Sequence, residues 1–300
     1  MDCTNVGGNT GVGACDLNSQ RIDGFIFVPK NAAIPKDTTD LVDFLVKQIN
    51  LDSKGQRYFP LFNIDQATNN SEEAQVGTFG YGRTVKQRNG NTVMRWDFGF
   101  SLCKAKTIIQ FDGWNQGIFL VSSEGYLIGK NSLDKKNLVP IIPQQFDVVA
   151  ADFFDIGTSD LQAVGVSVNF GDKLKLIEQA QFLKADSFDA DQLQGLVDVE
   201  LEIVSKGTGV VNVSVTTKCG DVNLFDTYQT ELELADVWKA IDKVTGSAVT
   251  VTGVEPKPLT KSFELSLPTG TYLLSLAAVS VLTQKGIAGY ESDSITVTIT

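Results

Sequence analysis

Hydrophobic and polar residues alternate along most of this chain with the period of a pleated strand, and few stretches repeat with the period of a helix. GFIFVP at 24–29 predicts a strand, with Pro29 and Pro35 bracketing the loop after it. In DTTDLVDFLVKQINL the residues Leu41, Phe44, Leu45 and Ile49 recur at helical spacing, and Thr38 or Thr39 is placed to cap the first turn. This is the clearest helix, about three turns long. Residues 66–82, QATNNSEEAQVGTFGYG, are polar and Gly-rich and predict a long loop. The strongest strand signal follows. Thr92, Met94, Trp96, Phe98, Phe100 and Leu102 fall on one face, and Val93, Arg95, Asp97, Gly99 and Ser101 on the other. IFLVSSEGYLIG at 118–129 predicts a hairpin, and 146–154 with 161–170 predict a second one joined by DIGTSD. Residues 174–183 suit a strand or a helix equally.

The texture changes across 185–195, ADSFDADQLQG. Beyond it, short alternating strands are predicted at 197–204, 210–217, 230–234, 248–254, 262–267, 271–278 and 294–300, interrupted by one short helical piece, ADVWKAIDK. Their size and count suit an immunoglobulin-like or fibronectin-III-like sandwich, although no Cys…Trp…Cys pattern marks an antibody-type domain. The expected organisation is therefore a domain over 1–195 and a second over 196–300. The fold class is mainly β: an N-terminal β-barrel or sandwich with one flanking helix, then an Ig-like β-sandwich.

Composition narrows the chemistry. The chain has 300 residues, with 25 Lys+Arg against 36 Asp+Glu, a net charge of -11 and no histidine. The acidic balance argues against a dedicated nucleic-acid binder. The missing imidazole excludes a Ser-His-Asp triad, a Cys-His pair and the common zinc sites. Carboxylates are the remaining acid–base candidates: Asp147, Asp152, Asp155 and Asp160 in one stretch, Asp186, Asp189 and Asp191 in another. Such acids could serve a glycoside hydrolase, but turn and cap roles explain them more simply. DSFDADQ lacks the glycine and terminal glutamate of a calcium loop, and GTFGYG lacks the Lys-Ser/Thr of a phosphate loop. No catalytic residue, metal ligand or cofactor is assigned, and an enzyme is not expected.

Four cysteines, Cys3, Cys15, Cys103 and Cys219, do not make a disulfide scaffold and point to synthesis in a reducing compartment. Cys3 and Cys15 are near enough in sequence to pair or share a soft metal, though two small residues in a Gly-rich segment is the plainer reading. The first twenty residues read as an extended arm without the features of a secretory signal. No apolar run reaches the roughly 18 residues a membrane helix needs, so no membrane partner is expected.

Three of the five arginines, Arg83, Arg88 and Arg95, share the window 83–106 with Lys86, Lys104 and Lys106, where Asp97 is the only acid. The interleaved rings occupy core-facing strand positions. The bases therefore suit contact with an acidic neighbouring subunit better than a nucleic-acid platform. With the acids just before the window, the candidate subunit-interface residues are Glu72, Glu73, Arg83, Lys86, Arg88 and Arg95.

The order CDLNSQRIDGFIFVPKNAAIP, helix, RYFPLFNI, NSEEAQVGTFGYGRTVKQRNG, WDFGFSLC and GIFLVSSEGYLIG resembles virion structural proteins of phages infecting Bacteroidetes, most of all their tail tube proteins. The resemblance extends to about Gly129; beyond that it rests on architecture. It implies a small β-barrel or sandwich whose subunits form rings, sixfold by expectation, stacked into a tube through which phage DNA passes without specific binding. The partners implied are copies of the chain itself and other tail proteins. The implied location is the virion, after synthesis in the cytoplasm of the bacterial host. Alternatives are a head–tail ring, connector or capsid decoration protein of a phage, and a carbohydrate-binding adhesin in which an exposed Trp114 stacks on sugar.

Overall fold

A computed structural model of the chain describes residues 21–99, 102–149, 163–184 and 193–300. It is mainly β and divides into two compact units. One contains Gly55–Leu193 with the residues before Asn50; the other contains Gln194–Thr300 together with the short segment Asn50–Lys54.

The first unit runs β1 (Ile22–Val28), β2 (Ile34–Pro35), α1 (Leu41–Ile49), β3 (Phe59–Phe62), β4 (Gln66–Asn69), β5 (Gln75–Thr78), β6 (Thr84–Arg88) and β7 (Asn91–Gly99). It continues with α2 (Leu102–Ile109), β8 (Gly117–Ser122), β9 (Tyr126–Asn131), β10 (Asn137–Val139), β11 (Gln145–Val149), β12 (Ala163–Asp172), α3 (Lys173–Gln179) and β13 (Ala180–Lys184). One sheet has the order β2-β10-β9-β8-β1-β3 with β13 also paired to β9; a second has the order β11-β12-β7-β4.

The unbroken apolar run of β1 has a direct cause. Phe25 and Phe27 point into a core shared with Trp96 and Phe98 of β7 and Val164, Val166 and Val168 of β12. Ile26 and Val28 point the other way, onto Leu41, Leu45 and Ile49 of α1. A strand covered on both faces has no polar face to show, so alternation disappears. Burying each of these side chains contributes about 1.5–3 kcal/mol.

Several expectations are corrected. The cap of α1 is Asp40, whose Oδ1 accepts the Asp43 N–H at 2.9 Å; the Thr38 hydroxyl instead donates to the Pro35 carbonyl. Of the strand expected to run to Leu102, β7 covers the part up to Gly99; Phe100 and Ser101 lie outside the described residues, and Leu102 belongs to α2. The expected loop at 66–82 contains β4 and β5, which form through backbone pairing while their side chains stay almost wholly exposed. Residues 174–183 hold both alternatives in succession, α3 then β13. The expected N-terminal arm, and the turn joining β11 to β12, lie outside the described residues.

Disulfide bonding, which the sequence assigned to neither Cys103 nor Cys219, is present in both units. Cys103 in α2 and Cys219 in the turn after residue 217 are both disulfide-bonded, and no described cysteine is free. Sparse cysteines report nothing about which ones folding brings together, since pairing depends on Cβ geometry and not on spacing.

The second unit has β14 (Val197–Gly207), β15 (Val210–Thr217), α4 (Phe225–Leu232), β16 (Trp238–Asp242), β17 (Ala248–Val249), β18 (Gly253–Lys257) and β19 (Ser262–Ser266). Then come β20 (Gly270–Leu276), α5 (Val279–Gln284), β21 (Tyr290–Ser292) and β22 (Ile295–Ile299). Sheets β18-β19-β15-β14-β21 and β17-β16-β20-β22 both contribute to one core around Trp238, Phe263, Leu274 and Val297. Two expectations are exchanged here: the strand at 230–234 falls within and after helix α4, and most of ADVWKAIDK is strand β16.

The segment Asn50–Lys54 is tied into this unit by chemistry that sequence spacing hides. Ala278, at the N-cap of α5, has no side chain able to accept a hydrogen bond. The Asp52 carboxylate supplies one from a distance, accepting the Ser280 N–H at 3.1 Å and the Ser280 hydroxyl at 2.9 Å. This satisfies one of the amide donors that every helix start leaves open. Nearby, Lys54 Nζ lies 3.5 Å from Glu291 and 3.7 Å from Asp293.

Candidate interaction surfaces

The ribbon formed by β5 and β6 is exposed along nearly its whole length. Val76 lies opposite Lys86 and Thr78 opposite Thr84, and the two strands pair with no other described strand. Its turn is closed by the Phe79 N–H donating to the Arg83 carbonyl at 2.9 Å and the Gly82 N–H donating to the Phe79 carbonyl at 2.8 Å. Gly82 sits at φ +78°, a conformation that costs glycine nothing. At the base, a Cβ on Gly90 would lie 1.9 Å from the Glu72 carbonyl oxygen, so only glycine allows this close backbone approach. The Glu72 N–H then donates to the Asn91 carbonyl and fixes where the ribbon leaves the sheet.

Val76, Phe79 and Tyr81 are exposed by 62%, 60% and 100%. Sequence reasoning missed them as site residues; two rings set among glycines in a polar segment were the available signal. The predicted interface residues gather here with one exception. Arg83 is in the turn, Lys86 and Arg88 are on β6, and Glu72 and Glu73 are at the base. Arg88 Nη2 lies 3.5 Å from Glu72 Oε2, an exposed ion pair worth under about 1 kcal/mol. Glu72, Glu73, Lys86, Asn89, Lys173 and Leu174 line a cleft of about 430 Å³. Beside it, Asp172 caps α3 by accepting the Leu174 and Lys175 N–H groups. Asn89 Nδ2 donates to both Asp172 oxygens, and these donors hold the carboxyl below its ordinary range. The helix leaves Leu174, at the cleft, and Ile177 exposed.

Arg95 is the exception. Its position on β7 puts it on the outward face of the sheet β11-β12-β7-β4, with Nε 2.9 Å from Asp97 Oδ1. That face also carries Gln66 and Thr68 of β4, Ser167 and Asn169 of β12, and Gln145 and Asp147 of β11. Gln145 Nε2 donates to Asp147 at 2.7 Å. The opposite face is the aromatic core. One strand period therefore divides a packed interior from a polar surface whose charges are held by close neighbours. Lys104, from the same basic window, lies over the Phe98 ring and donates to the Asn63 carbonyl; burial pulls its pKa down.

The second unit carries an acidic row, Asp198, Glu200 and Glu202, on alternate positions of β14. Asp198 is paired in register with Glu291 of β21. Lys218 bonds Asp293 at 2.5 Å, which pushes the Asp293 pKa below its ordinary value. Asp198 moves the other way, raised by burial and by Glu291 and Asp293 against the pull of Lys218 and Lys54. A carboxyl whose folded pKa is raised binds its proton more tightly folded than unfolded, so it lowers stability above both pKa values and ceases to do so below them. Asp198→Asn is therefore expected to raise the urea midpoint of the second unit at pH 7. At about pH 3, where the carboxyl is protonated in either state, the variant and the parent should coincide. Equal midpoints at pH 7 would contradict this account.

Trp114 is half-buried at the edge of the aromatic core. It packs edge-on against Phe27 and Phe111, and its Nε1 donates to the Gly117 carbonyl at 3.1 Å. Of the candidate carboxylates, Asp147 lies on the polar sheet face; Asp152, Asp155, Asp160, Asp186, Asp189 and Asp191 fall outside the described residues. Among the described residues no group of three or more acids or cysteines is arranged to hold a metal ion. No described helix is long and apolar enough to cross a membrane. No protein-family model matches the chain, and no curated protein matches its sequence.

Proposed function

We propose that this chain is a self-assembling structural subunit of a phage virion, a tail tube protein whose stacked rings form the conduit for DNA. In this reading the first unit is the tube-forming β domain and the second is an Ig-like appendage. The observation that supports it most directly is the polar face of the sheet β11-β12-β7-β4. It offers mostly polar side chains, from Gln66, Thr68, Ser167, Asn169, Gln145 and Asp147, beside Val93 and Val149, and its Arg95 is engaged by Asp97 on the same strand. A surface of that kind lets a polyanion slide past, because free cations are what make phosphate contacts adhesive. The acidic balance of the whole chain works in the same direction.

The test is negative-stain electron microscopy of the purified full-length protein over a range of concentrations. Rings with an open centre, stacking into hollow tubes, are the expected result. A chain that remains monomeric throughout, or forms only solid aggregates, would sink the proposal.

A further inference from the structure

We infer that strand β22 is an interaction edge through which the second unit pairs with the same strand of a second copy of this chain, antiparallel and about a two-fold axis at Val297. The inference does not rest on the tube reading and would stand for a chain that forms no rings.

β22 lies at the end of the sheet β17-β16-β20-β22 and pairs with β20 alone, so its other edge meets no described strand. Backbone N–H and C=O groups along such an edge are a template for another strand, and folded proteins ordinarily blunt it with proline, lysine, a bulge or extreme shortness. The other edges of the second unit follow that rule. β18 carries Pro256 and Lys257, β17 has two residues, and β21 has three with Glu291 in the middle. β22 has none of these devices. It is five residues, ITVTI, every one β-branched, the class that favours extended backbone. Thr296 and Thr298 are exposed, while Val297 and Ile299 are buried in the core.

The partner follows from the order of those residues. Ile295-Thr296-Val297-Thr298-Ile299 reads the same in both directions. Antiparallel strands run past each other in opposite senses, so a second copy centred on Val297 sets Thr296 opposite Thr298 and Ile295 opposite Ile299. Every residue then meets its own kind, with the threonines on the exposed face. Cross-strand Thr–Thr pairs are favourable. Thr298 already makes one inside the sheet, with Thr271, Oγ1 to Oγ1 at 3.3 Å. The strand carries no charge, so self-pairing sets no like charges opposite each other along it. A patch that meets itself in this way makes an isologous contact, which closes at two copies.

The experiment uses the full-length chain. Thr296 and Thr298 are exposed, so substitutions there should leave circular dichroism and the urea midpoint at parental values. T296K/T298K sets two ammonium groups opposite two others across the axis, whereas T296K/T298E sets each ammonium opposite a carboxylate. In sedimentation velocity the parent is expected to form a concentration-dependent dimer that tightens as salt screens the acidic chains. T296K/T298K should need at least about tenfold higher concentration to pair, and T296K/T298E should recover most of that loss. T296C/T298C supplies a readout that ring formation cannot mask. Under a mild oxidant it should give a covalent dimer on a non-reducing gel, and T296C alone, opposite a threonine, should not. A parent monomeric throughout, equal association of parent and T296K/T298K, or no recovery in T296K/T298E would overturn the pairing. Rings in negative stain without a cross-linked T296C/T298C dimer would overturn it while leaving the tube reading standing. A cross-linked dimer from a chain that forms no rings would do the reverse.

Discussion

Phe27→Ala is expected to cost the first unit about 3–5 kcal/mol, enough to unfold many domains of this size. Phe27 has no solvent exposure. Its ring stacks on Phe111 at 4.0 Å between centroids and meets Trp114 and Phe146 edge-on at 5.5 Å and 5.4 Å. Truncation removes the ring and leaves three others around a void that β1 is poorly placed to close. The strand is held by β8 on one side and β3 on the other, and its reverse face packs on α1. Phe27→Leu, which refills part of the volume, should cost clearly less. Urea titrations of the full-length chain, followed by tryptophan fluorescence, give the comparison. A loss under about 1 kcal/mol for the alanine variant would mean that this aromatic cluster does not hold the core.

Reduction of the disulfides is expected to have the next largest effect, about 2–4 kcal/mol for each bridge lost. Cys103 lies in the first unit and Cys219 in the second, and both are bonded. Neither should react with an alkylating agent in the denatured, unreduced chain, and both should do so after a thiol reductant is added. The unfolding midpoint should fall over the same treatment. Alkylation of both residues without reductant would show that the bridges do not form. The bonded state also means that these thiols must meet an oxidant, since forming a disulfide from thiols is a two-electron oxidation.

How far the chain could be read from its letters depended on whether the deciding force was local. The core faces of β7 and the hairpin of β8 and β9 were readable because burial imposes its period on the side chains. The β5–β6 ribbon was not, since backbone hydrogen bonds make it and every strand residue but Gly77 is exposed rather than packed in a core. In the second unit, ADVWKAIDK has helix formers, yet β16 places Trp238 and Ala240 inward and pairs Trp238 with Leu276 of β20. Tertiary pairing overrode propensity there. The same division applies to the candidate surface. Its basic window was plain in sequence, but the separation of Arg95 from Arg83, Lys86 and Arg88 follows from which side of β7 faces the core.

The bond between Asp52 and Ser280 places an order in time on the molecule. The two residues are 228 positions apart. During synthesis, therefore, Asn50–Lys54 leaves the ribosome early and waits without its helix while the rest of the first unit is made. The second unit is finished by a piece that was translated before most of the first. A fragment cut at Gln194 would carry α5 without its cap, and a product ending short of Ser280 would leave the Asp52 carboxylate in water. Closure of the cap thus reports, in one carboxylate, that translation has passed both ends of a very long interval.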